Sequence, residues 1–422
     1  MLNASCRICP NETGRIGSHR VCCGLLADGR ELQLKRRHFV KTSCLSAAPL
    51  LFPWAHPALS ARLNAAPQDP DSFANGKLLG QLEFLNEGPV EMDAAFGSEL
   101  DGRLYTSLVD LGDQRLVTPA ERFYIRTRAS LILPTPHHWT VPVDGLVADR
   151  LELKIGQLQS KARPLGLHLM ECAGNTRAAH FGLVSVGEWA GVPLSEILLG
   201  AKQKTSATQV LISGFDRYIS RSATSTPGAS WIFKLDDLLG SNAFLATQLD
   251  SKPLSRDHGA PVRLVVPGWY GCCCIKWVEH ISLVDDCAES TSQMLEYAAR
   301  THQNGSPRLA KDFLPARIDH AAMPIRVEKW LIGEKVRYRI VGLLWGGSQP
   351  VKTLAIRFNP EEDYVPVDSL PAQTAPWTIW SHAWSPAARG TYIIRLAIKE
   401  PELRARRLES GYYARSVEIT EV

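Results

Sequence analysis

The stretch Leu167-His-Leu-Met-Glu-Cys-Ala-Gly-Asn-Thr-Arg177 joins a strand pattern to a turn pattern. Apolar residues around one histidine predict a short buried strand over residues 167–170. Gly174 and Asn175 favour backbone conformations that most residues avoid, so we expect a turn after the strand. Cys172 therefore lies where a rigid strand gives way to a loop, with Arg177 five residues later. A thiol placed in this way is suited to bind a metal as a thiolate, although most free cysteines are buried and inert.

Length and composition restrict the class of protein. The chain has 422 residues, of which 45% are hydrophobic, which predicts two domains plus a tail. A net charge of +4, without a basic stripe interleaved with aromatic residues, argues against a nucleic-acid binder. No apolar run approaches the roughly 20 residues of a membrane span. The ten cysteines show no pattern typical of a disulfide framework.

The first part of the chain is irregular and polar over residues 1–34. Cys6, Cys9, Cys22 and Cys23 supply four thiols, but the second pair lacks the two-residue gap typical of zinc sites. We therefore favour an upstream extension without structural consequence over a zinc site.

A basic segment follows, in which Arg36-Arg37 precede Phe39 and a modest apolar run. This pattern resembles a twin-arginine export signal, and the alternative is a basic patch before a buried helix. Residues 1–65 are accordingly predicted to be an extension plus an export signal, and the protein is predicted to be periplasmic.

Residues 66–318 show short strand and helix patterns without a Gly-rich nucleotide motif, which predicts an α+β domain. Residues 194–199 and 235–239 favour helices. Residues 260–266 are apolar and β-branched and end at Pro267-Gly268, so a buried strand is expected there.

Residues 319–422 alternate between apolar and polar side chains, with no helix pattern between the alternating segments. This period of two predicts an all-β sandwich. The alternating segments are residues 335–341, 351–358, 391–398 and 416–422.

Five motifs in a fixed order carry a resemblance to a known family. They are Glu171-Cys-Ala-Gly-Asn-Thr-Arg177, Trp189-Ala-Gly-Val-Pro-Leu194, His258-Gly-Ala-Pro-Val-Arg263, Pro267-Gly268 and Lys276-Trp277. Together they resemble the sulfite oxidase family of molybdenum enzymes from about Thr118 to the C-terminus. The resemblance implies a molybdopterin-binding α+β domain over residues 66–318. It also implies an immunoglobulin-like β-sandwich over residues 319–422, which forms the dimer contact in relatives.

The same resemblance implies a molybdenum–molybdopterin cofactor with Cys172 as its protein thiolate. Matching positions for holding the pterin are His258, Arg263 and Lys276. Thr127 and Arg128 replace the family's Asn-His pair, which puts the local pterin contacts in doubt; with Ser230 they are candidates by neighbourhood. The run from Cys272 to Cys274 faces the same expected site and is the rival for the metal bond.

The substrate of the best-known relatives is sulfite, a small dianion. Arg126 and Arg177 match positions expected to converge on its oxygens, and Trp189 is expected to wall the pocket. Tyr297 lies near the family's active-site tyrosine, although its spacing differs by two residues. The resemblance thus implies oxygen-atom transfer to a small anionic sulfur compound.

The expected partners are an external electron acceptor such as a c-type cytochrome, and a second copy of the chain through the C-terminal domain. No haem is expected, since the chain lacks both a Cys-x-x-Cys-His motif and a His-Pro-Gly-Gly motif. Two alternatives keep the fold and change the reaction: reduction of sulfoxide-type substrates, or dehydrogenation of a sulfur compound on a carrier protein. A third alternative is a cofactor-free periplasmic protein with a binding or structural role.

Overall fold

The computed structural model describes residues 73–88, 101–112, 116–128, 138–215 and 229–422. The predicted extension and export signal lie outside these residues, and so do the side chains of Thr127 and Arg128. The strands are β1 Lys77–Leu82, β2 Asp101–Leu104, β3 Ile125–Arg128, β4 Thr140–Gly145, β5 Leu151–Lys154, β6 Arg163–Glu171, β7 Val184–Pro193, β8 Gln209–Gly214, β9 Ser230–Lys234, β10 Phe244–Leu249, β11 Lys252–Pro253, β12 Arg263–Val265, β13 Val278–Val284, β14 Ala321–Ile332, β15 Lys335–Trp345, β16 Leu354–Arg357, β17 Val365–Pro366, β18 Trp377–Trp384, β19 Gly390–Ile398 and β20 Arg415–Ile419. The helices are α1 Ile155–Lys161, α2 Leu194–Ala201, α3 Leu235–Gly240, α4 Ser292–Tyr297 and α5 Arg406–Glu409.

Two five-stranded sheets and a two-stranded ribbon form most of the chain before residue 319. One sheet has the order β11-β10-β7-β6, with β12 also paired to β10. The other has the order β5-β4-β13-β8-β9, in which the β4–β13 pair is parallel. Strands β2 and β3 form the ribbon. The strand β6, which carries the motif cysteine at its end, therefore lies at an edge of the first sheet.

The predicted helices α2 and α3 begin at Leu194 and Leu235, as the sequence indicates. The buried strand expected over residues 260–266 is shorter, because pairing is confined to Arg263–Val265. Pro261 and Pro267 flank this segment and have no backbone N–H to donate, so the strand cannot extend through either of them.

The C-terminal part contains two four-stranded antiparallel sheets, with orders β1-β14-β15-β18 and β17-β16-β19-β20. Each of the four alternating segments predicted from the sequence contains a strand. Strand β1 comes from the segment assigned to the first domain, yet it pairs with β14. A second difference is the one-turn helix α5, which is too short to produce a periodic pattern.

Two hydrophobic cores meet at the motif loop. Met170 and Cys172 belong to the core of the first part, whereas Ala173 and Phe181 belong to the core of the C-terminal sheets. The loop that follows β6 therefore lies between the two cores. In the described part of the chain, no helix has the length and apolar character needed to cross a membrane.

Candidate active site at Cys172

The Cys172 loop, residues 172–177, follows the end of β6. Cys172 N donates to Leu183 O at 2.9 Å, and Gly174 N donates to the Cys172 Sγ at 3.4 Å. The turn predicted after the strand is present, since Asn175 N donates to Cys172 O at 2.9 Å. Neither Gly174 nor Asn175 has a positive φ, however, and His180 and Phe181 have φ of 47° and 56°. Glycine at 174 has a different role. A Cβ there would lie 3.7 Å from the Cys172 Sγ and 3.6 Å from an Arg300 nitrogen.

Burial dominates the protonation of Cys172, which has 9% of its surface exposed. Burial raises the pKa of the thiol; the Gly174 N–H and the more distant Arg126 charge lower it by less. Arg126, and not the nearby Arg177, is the arginine whose charge lowers the pKa of Cys172. A soft metal would displace the proton on binding, because thiolates and not thiols are metal ligands.

The carboxylate of Glu171 connects the Cys172 loop to the C-terminal sheets. It is fully buried and accepts hydrogen bonds from Trp345 Nε1 at 2.9 Å and Tyr413 OH at 3.1 Å. The Arg407 guanidinium lies 3.8 Å away. Burial raises the pKa of Glu171, while these partners oppose that rise. Residues more than 170 positions away in sequence thus fix the loop that holds Cys172.

The first of two cavities at Cys172 is named here the His258 cavity. Its described walls enclose about 110 Å³. Two segments that lie close in the chain to the lining residues Arg126 and Ala229, residues 129–137 and 216–228, are outside the described part. The lining residues are Tyr124, Ile125, Arg126, Met170, Cys172, Ala229, Asp257, His258, Arg263, Gly271, Cys272, Cys274, Ile275, Lys276, Trp277, Gln293, Glu296 and Tyr297.

The basic residues of this cavity are held by backbone oxygens. His258 Nε2 donates to Phe123 O at 3.0 Å, and its Nδ1 pairs with Ser255 Oγ at 2.8 Å. Burial lowers the pKa of His258 to about 4, so the imidazole is neutral at pH 7. Lys276 Nζ donates to Asp257 O at 3.1 Å.

Gly259 has φ +108°, and a Cβ there would lie 3.0 Å from Arg263 Cβ and 3.1 Å from Lys276 Cβ. The glycine after His258 is therefore what lets the chain approach the arginine and the lysine so closely.

The surroundings of Arg263 indicate whether the His258 cavity fits an anionic cofactor. Its guanidinium is 5% exposed and donates to His258 O at 2.9 Å and Cys274 O at 3.0 Å. No carboxylate of the described residues pairs with it, and its Nε has no hydrogen-bond partner. A buried cation without a counter-ion is costly unless a ligand supplies the charge. The donor set therefore fits a phosphate-bearing, hydrogen-bonding group such as a pterin.

The second cavity, named here the Arg300 cavity, has a volume of about 760 Å³. It shares Arg126, Cys172, Glu296 and Tyr297 with the His258 cavity. Its other lining residues are Tyr105, Ala173, Gly174, Thr176, Ala178, Ala179, Leu183, Ala299, Arg300, His302, Arg406, Arg407, Ser410 and Tyr412. Cys172 thus lies in the wall of both cavities.

Positive charge exceeds negative charge around the Arg300 cavity. Four arginines line it, whereas Glu296 is the one carboxylate among its lining residues. Asp319 outside the lining pairs with Arg406 through two hydrogen bonds of 2.6 and 2.9 Å. This surplus favours an anionic ligand.

The structure brings together most of the predicted site residues. Cys172, Arg126 and Tyr297 line both cavities, and His258, Arg263 and Lys276 line the His258 cavity alone. Cys272 and Cys274 line the His258 cavity, while Cys273 lies in the core.

Three predicted residues lie elsewhere. Arg177 lines neither cavity, because its guanidinium donates to Ala414 O at 2.5 Å. Trp189 is fully buried behind the cavity wall, 5.4 Å from the Arg263 guanidinium, so it does not wall the pocket. Ser230 is buried in β9 and lines neither of the two cavities at Cys172. The expected convergence of Arg126 and Arg177 is therefore not observed.

Sequence reasoning missed Arg300, Arg406, Arg407 and Tyr412. Arg300 follows Tyr297 by three residues, a spacing that places both on one side of a helical turn, so this residue could have been found. Arg406 and Arg407 belong to the short helix α5, and Tyr412 follows this helix. All three lie more than 200 residues after Cys172, and no local pattern links them to Cys172.

Comparison with known proteins agrees with this geometry. Residues 130–292 match the family model described as the oxidoreductase molybdopterin binding domain. The sulfite oxidase of Gallus gallus is 26% identical over 200 residues, covering 44% of this chain and 43% of the relative. The NADPH nitrate reductase of Mycosarcoma maydis is 31% identical over 209 residues, covering 42% of this chain and 21% of the relative. The chain thus spans less than half the length of these two relatives.

A solved structure extends the similarity in fold to most of the chain. The sulfane dehydrogenase SoxCD from Paracoccus pantotrophus aligns with a TM-score of 0.54 and 18% identity, covering 83% of this chain and 86% of that one. At this identity the match concerns the fold alone. The matched domain and the curated relatives support the class of molybdopterin-dependent oxidoreductases for this chain.

Proposed function

We propose that the protein oxidises a small sulfur oxyanion, sulfite to sulfate, and passes the electrons to an external carrier. The observation that carries this proposal is the position of Cys172 between a cavity with a buried, unpaired arginine and a cavity with surplus positive charge. The reaction balances as sulfite plus water giving sulfate, two protons and two electrons.

Each side of Cys172 has a separate role in this proposal. His258, Arg263 and Lys276 would hold the pterin and its phosphate, and Cys172 would supply the protein thiolate. When bound, the molybdenum cofactor would supply the two-electron redox chemistry and the transferable oxygen. Arginines of the Arg300 cavity would orient the anion. Tyr297 lines both cavities, so its side chain would contact both the pterin and the anion.

The cavity size supports a second candidate. A volume of about 760 Å³ is within the range of sites that hold drug-sized ligands, far larger than sulfite needs. A larger sulfur compound, or one presented by a carrier protein, would fit there. Dehydrogenation of such a compound, or reduction of a sulfoxide, is therefore the alternative reaction.

Metal analysis and two-direction assays test these candidates. The purified protein should contain about one molybdenum and one pterin per chain, and a metal-free protein purified from a molybdenum-supplied host would favour the cofactor-free alternative. Sulfite oxidation should be assayed with a one-electron acceptor, with sulfoxide and nitrate reduction assayed with a reduced dye. Turnover of a sulfoxide or nitrate without sulfite oxidation would contradict the proposal.

Export, the electron partner and dimerisation belong to the proposal on the strength of the sequence. We expect Arg36-Arg37 to direct the folded, loaded enzyme to the periplasm, where a c-type cytochrome would accept electrons. Replacing both arginines by lysine keeps the charge but should leave the loaded precursor in the cytoplasm. A double variant found in the periplasm by fractionation would show that the export segment was misinterpreted. A dimer through the C-terminal sheets can be checked by sedimentation.

A further inference from the structure

We propose that Arg300, and not Arg177, binds the anionic group of the substrate, at the open point above Gly174. This inference rests on the proposed function, because it assigns a specificity-determining residue to the same site.

Distances at Gly174 locate the binding point. The position that a Cβ would take on this glycine is 3.7 Å from the Cys172 Sγ and 3.6 Å from the Arg300 Nη1. The thiol and the guanidinium are thus separated by no more than the sum of these two distances, and apart from the chain neighbours of Gly174 no other described residue comes within 4 Å of this position. A small oxyanion in van der Waals contact with Gly174, in the space in front of this position, would reach the guanidinium and lie beside Cys172.

Arg407 fixes this separation. Its Nη2 donates to Ala173 O at 2.8 Å and to Arg300 O at 2.9 Å, so one guanidinium holds both the Cys172 loop and the turn that carries Arg300. The rings of Tyr270 and Tyr412 lie 4.7 and 5.2 Å from the Arg407 guanidinium carbon, and Glu171 lies 3.8 Å away. A site held on both sides in this way loses little freedom when an anion binds.

Charge distinguishes Arg300 from its neighbours. Arg406 is paired with Asp319, and Arg407 lies next to Glu171. Among the described residues, no carboxylate lies within ion-pair distance of Arg300, whose guanidinium carbon is 5.5 Å from the Tyr297 ring centroid. A planar guanidinium without a carboxylate partner can form paired hydrogen bonds with an oxyanion.

Arg177 lacks both the position next to Gly174 and a guanidinium that faces a cavity. Its guanidinium is used by Ala414 O, and the side chain lines neither cavity. Its position five residues after Cys172 is therefore compatible with a role in attaching the loop to the segment before β20.

Sulfate binding to the molybdenum-loaded protein, measured by titration calorimetry, tests the assignment. Arg300→Gln should weaken sulfate binding about ten- to a hundredfold, the range expected for lost charge-assisted hydrogen bonds. Arg177→Gln should change it less than about twofold, even if the variant is less stable. Arg308→Gln is the charge-matched control, because Arg308 is an exposed arginine outside both cavities.

Gly174→Ala provides a second, independent variant. The new methyl group would make ordinary van der Waals contacts and the backbone angle is not restrictive, so the variant should fold and keep its molybdenum. It should nevertheless weaken sulfate binding, because the methyl group would narrow the space in front of Gly174 between the thiol and the guanidinium. Unchanged sulfate binding in Arg300→Gln would overturn the assignment. A loss in Arg177→Gln equal to that in Arg300→Gln, or a wild type that binds no sulfate, would also overturn it.

Failure of the proposed function gives a different result. If sulfate binding depends on Arg300 but the wild type does not oxidise sulfite, the reaction is wrong and the anion site stands. If the wild type oxidises sulfite and Arg300→Gln leaves both the KM and sulfate binding unchanged, the reaction stands and the anion site is wrong.

Discussion

The His258 cavity and the Arg300 cavity share Cys172 but are built from different parts of the chain. All residues that line the His258 cavity lie between Tyr124 and Tyr297. The Arg300 cavity takes Arg406, Arg407, Ser410 and Tyr412 from the C-terminal part. The first cavity holds Arg263 and Lys276 with backbone oxygens and no described carboxylate pairs with Arg263. In the second, Arg406 pairs with Asp319, and Arg407 has Glu171 3.8 Å away in addition to its hydrogen bonds to backbone oxygens.

This difference explains what each cavity can bind. Backbone oxygens fix a cation without neutralising it, so Arg263 keeps a full charge for a resident anionic group. In the Arg300 cavity Arg406 and Arg407 each have a carboxylate within 4 Å, whereas no described carboxylate lies within ion-pair distance of Arg300, the residue proposed above to bind the substrate anion. The comparison suggests that variants of the two cavities should separate cofactor retention from substrate affinity.

The largest expected effect is at the shared residue. Cys172→Ser should fold and keep pterin, yet turnover should fall to the detection limit, because a hydroxyl is a poor ligand for a soft metal site. Steady-state assays with pterin and molybdenum analysis would measure this. Cys272→Ser is the matched control, since Cys272 lines the His258 cavity outside the motif and should keep most of the turnover. The reverse pattern would move the metal bond to Cys272.

A smaller effect is expected at Arg263, and it should differ in kind from that at Arg300. Arg263→Gln removes a buried guanidinium, so affinity for the pterin should fall about ten- to a hundredfold, while sulfate binding by the loaded fraction is unchanged. Cofactor content after dialysis would measure the loss. Arg300→Gln should show the opposite: full cofactor content and weak sulfate binding. If both variants lose cofactor equally, the two cavities do not act separately.

The effect expected to change turnover least concerns the free energy of unfolding and its dependence on pH. Burial lowers the pKa of His258 to about 4 from an ordinary value of 6.5, so the folded state favours the neutral imidazole. Its contribution to stability is therefore complete above pH 6.5 and is lost as pH falls towards 4, by about 3 kcal/mol at most. Urea unfolding of wild type and His258→Gln between pH 7 and 4 would measure this, since glutamine can donate to Phe123 O but does not titrate in this range. If the free energy of unfolding changes equally with pH in the two proteins, this pH dependence does not come from His258.

The residues of the His258 cavity were predictable because local motifs carry them. His258 and Arg263 lie in one short segment, and Gly259 is needed where the chain approaches Lys276. The motif cysteine was also found at the end of its strand. The turn after β6 was predicted, but the left-handed backbone angles were not, since His180 and Phe181 adopt them and Gly174 and Asn175 do not. Phe181 packs in the C-terminal core against Tyr412 and Tyr413, which lie more than 200 residues further along the chain.

The sequence by itself determined the alternating strands of the C-terminal part and the thiol at the end of β6, since alternation and short motifs act over a few residues. The basic residues around the expected cofactor came from the resemblance of the motifs. Only the tertiary structure decided which arginines line the cavities at Cys172. Arg177, near in sequence, is used by Ala414 O, while Arg407 reaches the loop from α5 and holds Arg300 beside it. The physical reason is that the Cys172 loop lies between two hydrophobic cores, so residues distant in sequence complete its surroundings.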